Sequence, residues 1–202
     1  MERRLWLDVL TCLYDPGLVA VALSAALGER FPKPARYTVL LTARRRARDI
    51  ASHAERTGVN AVQVVNHIEP YEAARLAELL PPSVRYIQVV HVDGADALDR
   101  PRLYAPYVDA FLLDSGRPAA PTPELGGTGQ THDWSVSARI VEQATRPVFL
   151  AGGLRACNVA AAIRQVRPYA LDVCTGVRTS DVLDPSKLNA FMREVHEMSS
   201  SA

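Results

Sequence analysis

Residues 148–154 read VFLAGGL, and residues 158–166 (NVAAAIRQV) then bring apolar side chains back at helical spacing. A short apolar run closed by glycine and followed by an amphipathic segment is one βα unit, the element from which parallel sheets are built. The same unit recurs on both sides. Toward the N-terminus the strands are 110–114 (AFLLD), 86–92 (YIQVVHV), 61–65 (AVQVV), 38–42 (TVLLT) and 5–10 (LWLDVL), and toward the C-terminus 170–174 (ALDVC) follows. Segments 43–56, 71–80, 135–144, 158–166 and 185–195 carry the helical pattern, with polar stripes for solvent. Seven strands in such a series leave an open doubly wound sheet or a (β/α)8 barrel with one weak unit. Both bury parallel strands on two faces, so hydrophobicity alone does not separate them. Glycine placement does: 126–129 (GGTG), 151–154 (AGGL) and 175–177 (TGV) follow the last three strands, where a barrel gathers its phosphate-binding loops.

The chain has 202 residues, enough for one domain, here taken as 1–202, with its own core. Lys and Arg number 23 against 22 Asp and Glu, a net charge of +1. That balance gives no electrostatic footprint for nucleic acid or an anionic membrane. Cys12, Cys157 and Cys174 are odd in number and lack metal-ligand spacing, which predicts free thiols in a reducing compartment and no structural metal. Residues 1–8 lack a signal-peptide pattern and no segment has the length of an apolar membrane span, so the cytoplasm is the expected location.

The loop at 126–134 (GGTGQTHDW) comes just after strand 110–114, which ends in Asp114. Glycines bring backbone N–H groups close to an anion, and an aspartate at a strand end is placed for proton transfer. Gly127, Gly129, Gly152, Gly153 and Gly176 are the expected phosphate contacts, which points to a small phosphorylated ligand with no cofactor. His91, near a strand end, and His132, in the loop, are read as satisfied or exposed histidines. Trp134 and Phe31 are read as packing residues, and the basic run 44–48 as a solvated helix face.

Residues 61–63, 113–114, 126–134, 150–154 with 158–159, 172–177 and 184–187 agree in order, spacing and identity with the motifs of the phosphoribosylanthranilate isomerase family, which the chain resembles over roughly its last 140 residues. The resemblance implies a (β/α)8 TIM-barrel-like fold and an Amadori rearrangement, in which an amino-substituted ribose phosphate becomes a ketose by proton shuttling between C2 and the ring oxygen. It assigns the acid to Asp114. The family's base is a strand-one cysteine, and Asp8 stands in its place, as in the related two-aspartate isomerase of histidine biosynthesis; Cys12 lies too late to serve. An Asp/Asp pair suffices chemically if burial splits the two pKa values.

Segment 31–37 (FPKPARY) resembles the family loop whose arginine holds the anthranilate carboxylate, which assigns that role to Arg36. The strand at 38–42 then follows at once, so the second βα unit is expected to be shortened or missing, and a dimer partner is expected to cover the gap. Other positions depart from the family. Residues 63–66 read QVVN in place of Gln-Leu-His-Gly, Gln88 and Gln130 replace lysines, and Arg178 replaces a glutamate and is a candidate phosphate contact. These changes are expected to lie on the substrate-facing rim. They also motivate two alternatives: a repurposed barrel that binds a phosphorylated metabolite or a partner, or one that catalyses a lyase or cyclase step.

Overall fold

The computed structural model describes residues 9–10, 19–23, 36–116 and 131–200. Within them the strands are β1 (Val9–Leu10), β2 (Val19–Leu23), β3 (Arg36–Thr42), β4 (Ala61–Val64), β5 (Arg85–His91), β6 (Ala110–Asp114), β7 (Val148–Leu150) and β8 (Ala170–Leu171), with the short pair β9 (Arg178–Thr179) and β10 (Val182–Leu183) apart. The helices are α1 (Ala47–Thr57), α2 (Pro70–Leu79), α3 (Arg100–Tyr104), α4 (Trp134–Gln143), α5 (Ala156–Val166) and α6 (Pro185–Ser200). The first eight strands form one sheet in sequence order. Strands β3 to β8 are parallel neighbours, a half-barrel clad in helices.

Side-chain alternation divides the half-barrel into two packed layers. Val39, Ala61, Ile87, Val89, Ala110, Leu112, Phe149, Ala151 and Ala170 form the inner cluster. Their outward neighbours, among them Leu40, Val62, Tyr86, Phe111 and Leu150, pack with Ile50, Leu76, Ile140, Ile163 and Phe191 from the helices. Period two in the strands and 3.6 in the helices is what allows one chain to fill both layers. The first turn of α1 is closed from outside: the Ala47 N–H donates to Glu72 Oε2 at 2.7 Å, from α2. Glu72→Ala leaves that N–H without its acceptor and is expected to cost about 1 kcal/mol. A urea midpoint equal to that of the wild type would remove Glu72 from the cap.

The N-terminal part differs from the sequence reading. Only Val9–Leu10 of the expected strand 5–10 lies in the described residues, and Val19–Leu23, for which no strand was expected, pairs antiparallel with both β1 and β3. Antiparallel neighbours are not joined by the right-handed crossover of a βα unit, so the regular alternation starts at β3. Short alanine- and valine-rich runs satisfy strand and helix templates equally, and only the partner strand selects between them. The short helix α3 and the hairpin β9–β10 were also absent from the reading, being too short to show periodicity.

Candidate active site

The C-terminal ends of β5 to β8 carry a row of polar groups on the inner face. His91 is paired in register with Asp114. Leu113 pairs with Leu150 and Leu150 with Leu171, so one step further Asp114, Ala151 and Asp172 stand side by side. The ladder continues to that level: the Ala151 N–H donates to the Leu113 carbonyl at 2.7 Å and the Asp172 N–H to the Leu150 carbonyl at 2.8 Å. Only a methyl group, that of Ala151, occupies the row between the two carboxylates.

Asp114 Oδ1 accepts from the Ser115 N–H at 2.8 Å. Burial raises its pKa, against the opposing pull of the Ser115 N–H, His91 and the Ser115 side chain. Asp172 is 8% exposed, and its Oδ1 has no hydrogen-bond partner among the described residues. Burial, with the Asp114 charge adding to it, pushes the Asp172 carboxyl up to about 8. Two like groups facing one low-dielectric space cannot both ionise cheaply, which favours the protonated form of Asp172.

This shift has a stability consequence. The folded protein holds the Asp172 proton more tightly than an unfolded chain with the ordinary value of 3.8. Between about pH 4 and pH 8 the folded state therefore binds more protons, and this carboxyl's contribution to stability falls as pH rises through that window. Asp172→Asn removes the dependence. The Tm of the variant relative to wild type is expected to climb from pH 4 to pH 8, and a constant difference would contradict the buried, protonated state.

Gly152 and Gly153 open the loop from β7 to α5, both with positive φ (84° and 62°). A Cβ on Gly152 would lie 2.8 Å from Ser115 Oγ and 2.9 Å from the Ser115 N, so glycine lets this loop close on the residue beside Asp114. The Asn158 amide donates to the Gly153 carbonyl at 3.0 Å, and its Oδ1 accepts from the Arg155 N–H at 2.8 Å. Gly176 lies in the single turn 175–177, against Leu154 of the same loop. The two glycine loops thus meet, next to the first turn of α5, in the arrangement that suits an anion. Arg178 follows in β9, its Nη1 3.5 Å from the Asp181 carbonyl.

Asp8, Gly127 and Gly129 lie outside the described residues, as do Cys12, Phe31 and Gln130, and Arg36 is described only as backbone in β3. Gln88 does not face the substrate side. It points to the outer layer, fully buried, accepting from Tyr86 Oη at 2.7 Å and donating to the carbonyls of Val64 and Asn66. Strand parity decides this, since Val89 and His91 occupy the inward positions. His132 is half-satisfied: its Nε2 meets Ser137 Oγ at 2.6 Å, its Nδ1 is buried without a partner among the described residues, and burial lowers its pKa to about 4. Trp134 packs on the core, and Arg44, exposed, donates to His53.

Two site residues escaped the sequence reading. Asp172 was quoted only as part of a motif; the register of β6, β7 and β8 is what sets it in one row with Asp114. His91 was read as satisfied or exposed, yet it is 2% exposed and only its Nε2 is paired.

The family model for N-(5'-phosphoribosyl)anthranilate (PRA) isomerase matches residues 30–194. Over 143 residues the chain is 36% identical to N-(5'-phosphoribosyl)anthranilate isomerase 2 of Methanosarcina mazei, covering 71% of this chain and 62% of that protein. The chain spans about a third to three-fifths of the length of the curated relatives it matches. Among solved structures, phosphoribosyl anthranilate isomerase from Thermotoga maritima superposes with a TM-score of 0.66 at 28% identity, over 82% of this chain and 75% of that one. Another, solved in complex with reduced 1-(o-carboxyphenylamino)-1-deoxyribulose 5-phosphate, gives a TM-score of 0.63 at 25% identity, over 82% and 74%. The match runs through every strand from β3 to β8 and every loop that builds the polar rim, and on that ground the chain belongs to the N-(5'-phosphoribosyl)anthranilate isomerase family.

Proposed function

We propose that this chain catalyses the Amadori rearrangement of an amino-substituted ribose phosphate, with phosphoribosylanthranilate as the substrate indicated by its family. Asp114 is the acid that protonates the ring oxygen as the C1–O bond opens. Asp8 is the base that removes the C2 proton. The phosphate lies on the N–H groups of Gly127, Gly129, Gly152, Gly153 and Gly176, with Arg178 as the neighbouring cation, and Arg36 holds the carboxylate of the aglycone. The observation that supports the reading is Asp114 itself, buried on the inner face at the end of β6, where burial raises its pKa, with the glycine loop of β7 closing on the residue beside it. A carboxyl so raised is suited to act as a general acid.

Freshly generated phosphoribosylanthranilate is fluorescent, and its loss reports turnover directly. Wild-type turnover that Asp8→Asn abolishes supports both the reaction and the base. A second reading, a barrel that binds a phosphorylated metabolite without turnover, draws on residues 63–66, where QVVN puts Val65 in place of a polar family residue. Thermal protection by a ribose phosphate with no turnover would select it. The chain is further proposed to form a homodimer, because β1 and β8 end the sheet without a strand partner on their outer sides among the described residues. A monomeric mass in sedimentation at high concentration would remove that part.

A further inference from the structure

His91 has a half-used ring. Its Nε2 lies 2.7 Å from the Val65 carbonyl. A carbonyl only accepts, so Nε2 carries hydrogen and the neutral ring presents Nδ1 as a bare lone pair. That Nδ1 is buried without a hydrogen-bond partner among the described residues, at an energetic cost that a ligand would relieve. His91 is held rigidly, because the Arg100 Nη1 donates to its carbonyl at 2.9 Å and bridges to Asp93 at 3.1 Å. The side chain stands in register with Asp114 on the next strand, about 4.8 Å away at the backbone. The ring also lines a cavity of about 260 Å³, with His67, Asp93, Arg100 and Tyr104.

We propose that His91 is a third acid–base residue of this site, which takes the C2 hydroxyl proton as the ketone forms and returns it to Asp114. The proposal rests on the Amadori reading above. The protons balance. Asp114 gives its proton to the ring oxygen as the C1–O bond breaks and the C1=N bond forms, and it is left as a carboxylate. Asp8 takes the C2 proton, the electrons of that bond form C1=C2, and the cationic nitrogen is neutralised. As C1 regains a proton from Asp8, the C2 hydroxyl loses its own to His91 Nδ1 and C2=O forms. The imidazolium then passes that proton to the neighbouring Asp114 carboxylate, and all three groups are restored. The ring oxygen and C2 are both bonded to C1, so groups on adjacent strands reach the two ends of the transfer.

The geometry supplies its own test, since the cavity beside His91 gives a small molecule a route to the ring's position. His91→Ala is expected to lower kcat with phosphoribosylanthranilate by roughly 100-fold or more, with little change in KM, and added imidazole is expected to restore it. Pyrazole, of similar shape and much weaker basicity, is not. His91→Asn, checked for folding by circular dichroism, keeps a polar atom near Nδ1 but cannot carry the proton, and is expected to be as slow. Wild-type turnover together with unchanged kcat in the variants, or equal rescue by pyrazole, overturns the role of His91. Absence of wild-type turnover overturns the reaction itself, and this proposal with it.

Discussion

Asp114→Asn is expected to lower kcat for phosphoribosylanthranilate by 10²- to 10⁴-fold, the usual worth of a positioned general acid, while leaving the fold intact. The asparagine is close to isosteric, and its Oδ1 keeps the acceptor that the Ser115 N–H uses at 2.8 Å. What it loses is the proton. The same substitution reaches Asp172, because the Asp114 charge is one of the two causes that hold the Asp172 carboxyl at about 8. Its titration, followed by carboxyl carbon NMR, is expected to move down in Asp114→Asn while burial keeps it above the ordinary range. A variant that retained kcat to within roughly threefold would take the acid away from Asp114. An unmoved Asp172 midpoint would mean that the two carboxyls do not share one field.

Gly176→Ala is expected to damage stability and phosphate binding together. A Cβ there would sit 1.8 Å from the Leu154 carbonyl oxygen and 2.9 Å from its carbon. Both are backbone atoms, so no rotamer change relieves the overlap, and the turn 175–177 must move away from the loop that holds Gly152 and Gly153. Overpacking of this kind costs about 1–3 kcal/mol or more, roughly 2–4 °C of Tm per kcal/mol for a chain of this size. Because the displaced turn is half of the proposed phosphate cradle, KM is expected to rise by about tenfold or more while kcat falls less, the signature of lost uniform binding. Gly94→Ala is the control, since its added Cβ meets nothing within 4 Å. Equal behaviour of the two variants would show that the contact between the two glycine loops contributes nothing.

The elements that could be read from sequence were those whose signal is local. Strands β3 to β8 and the five longer helices were each visible as short apolar runs or as apolar residues at helical spacing, with ends misplaced by a few residues where helices start and strands stop. Asp114 and Gly152 could be named because a strand end followed by a glycine loop is contiguous in the chain. Gln88 was assigned to the wrong face because a substitution relative to a family says nothing about strand parity. His91 was passed over because a histidine's second nitrogen is satisfied or left bare by residues far away in sequence.

By itself the sequence of this protein determined the βα series, the run of glycine loops at successive strand ends and an aspartate closing β6. All of these follow from residue spacing and backbone freedom over a dozen residues or fewer. The tertiary structure alone decided that Val19–Leu23 joins the sheet antiparallel, that Ala151 sets Asp114 and Asp172 in one row, and that His91, in register with Asp114, keeps a buried nitrogen without a partner among the described residues. Pairing direction, register and burial are properties of strands brought together from distant parts of the chain, and the ionisation of a carboxyl follows the space around it rather than its neighbours in sequence.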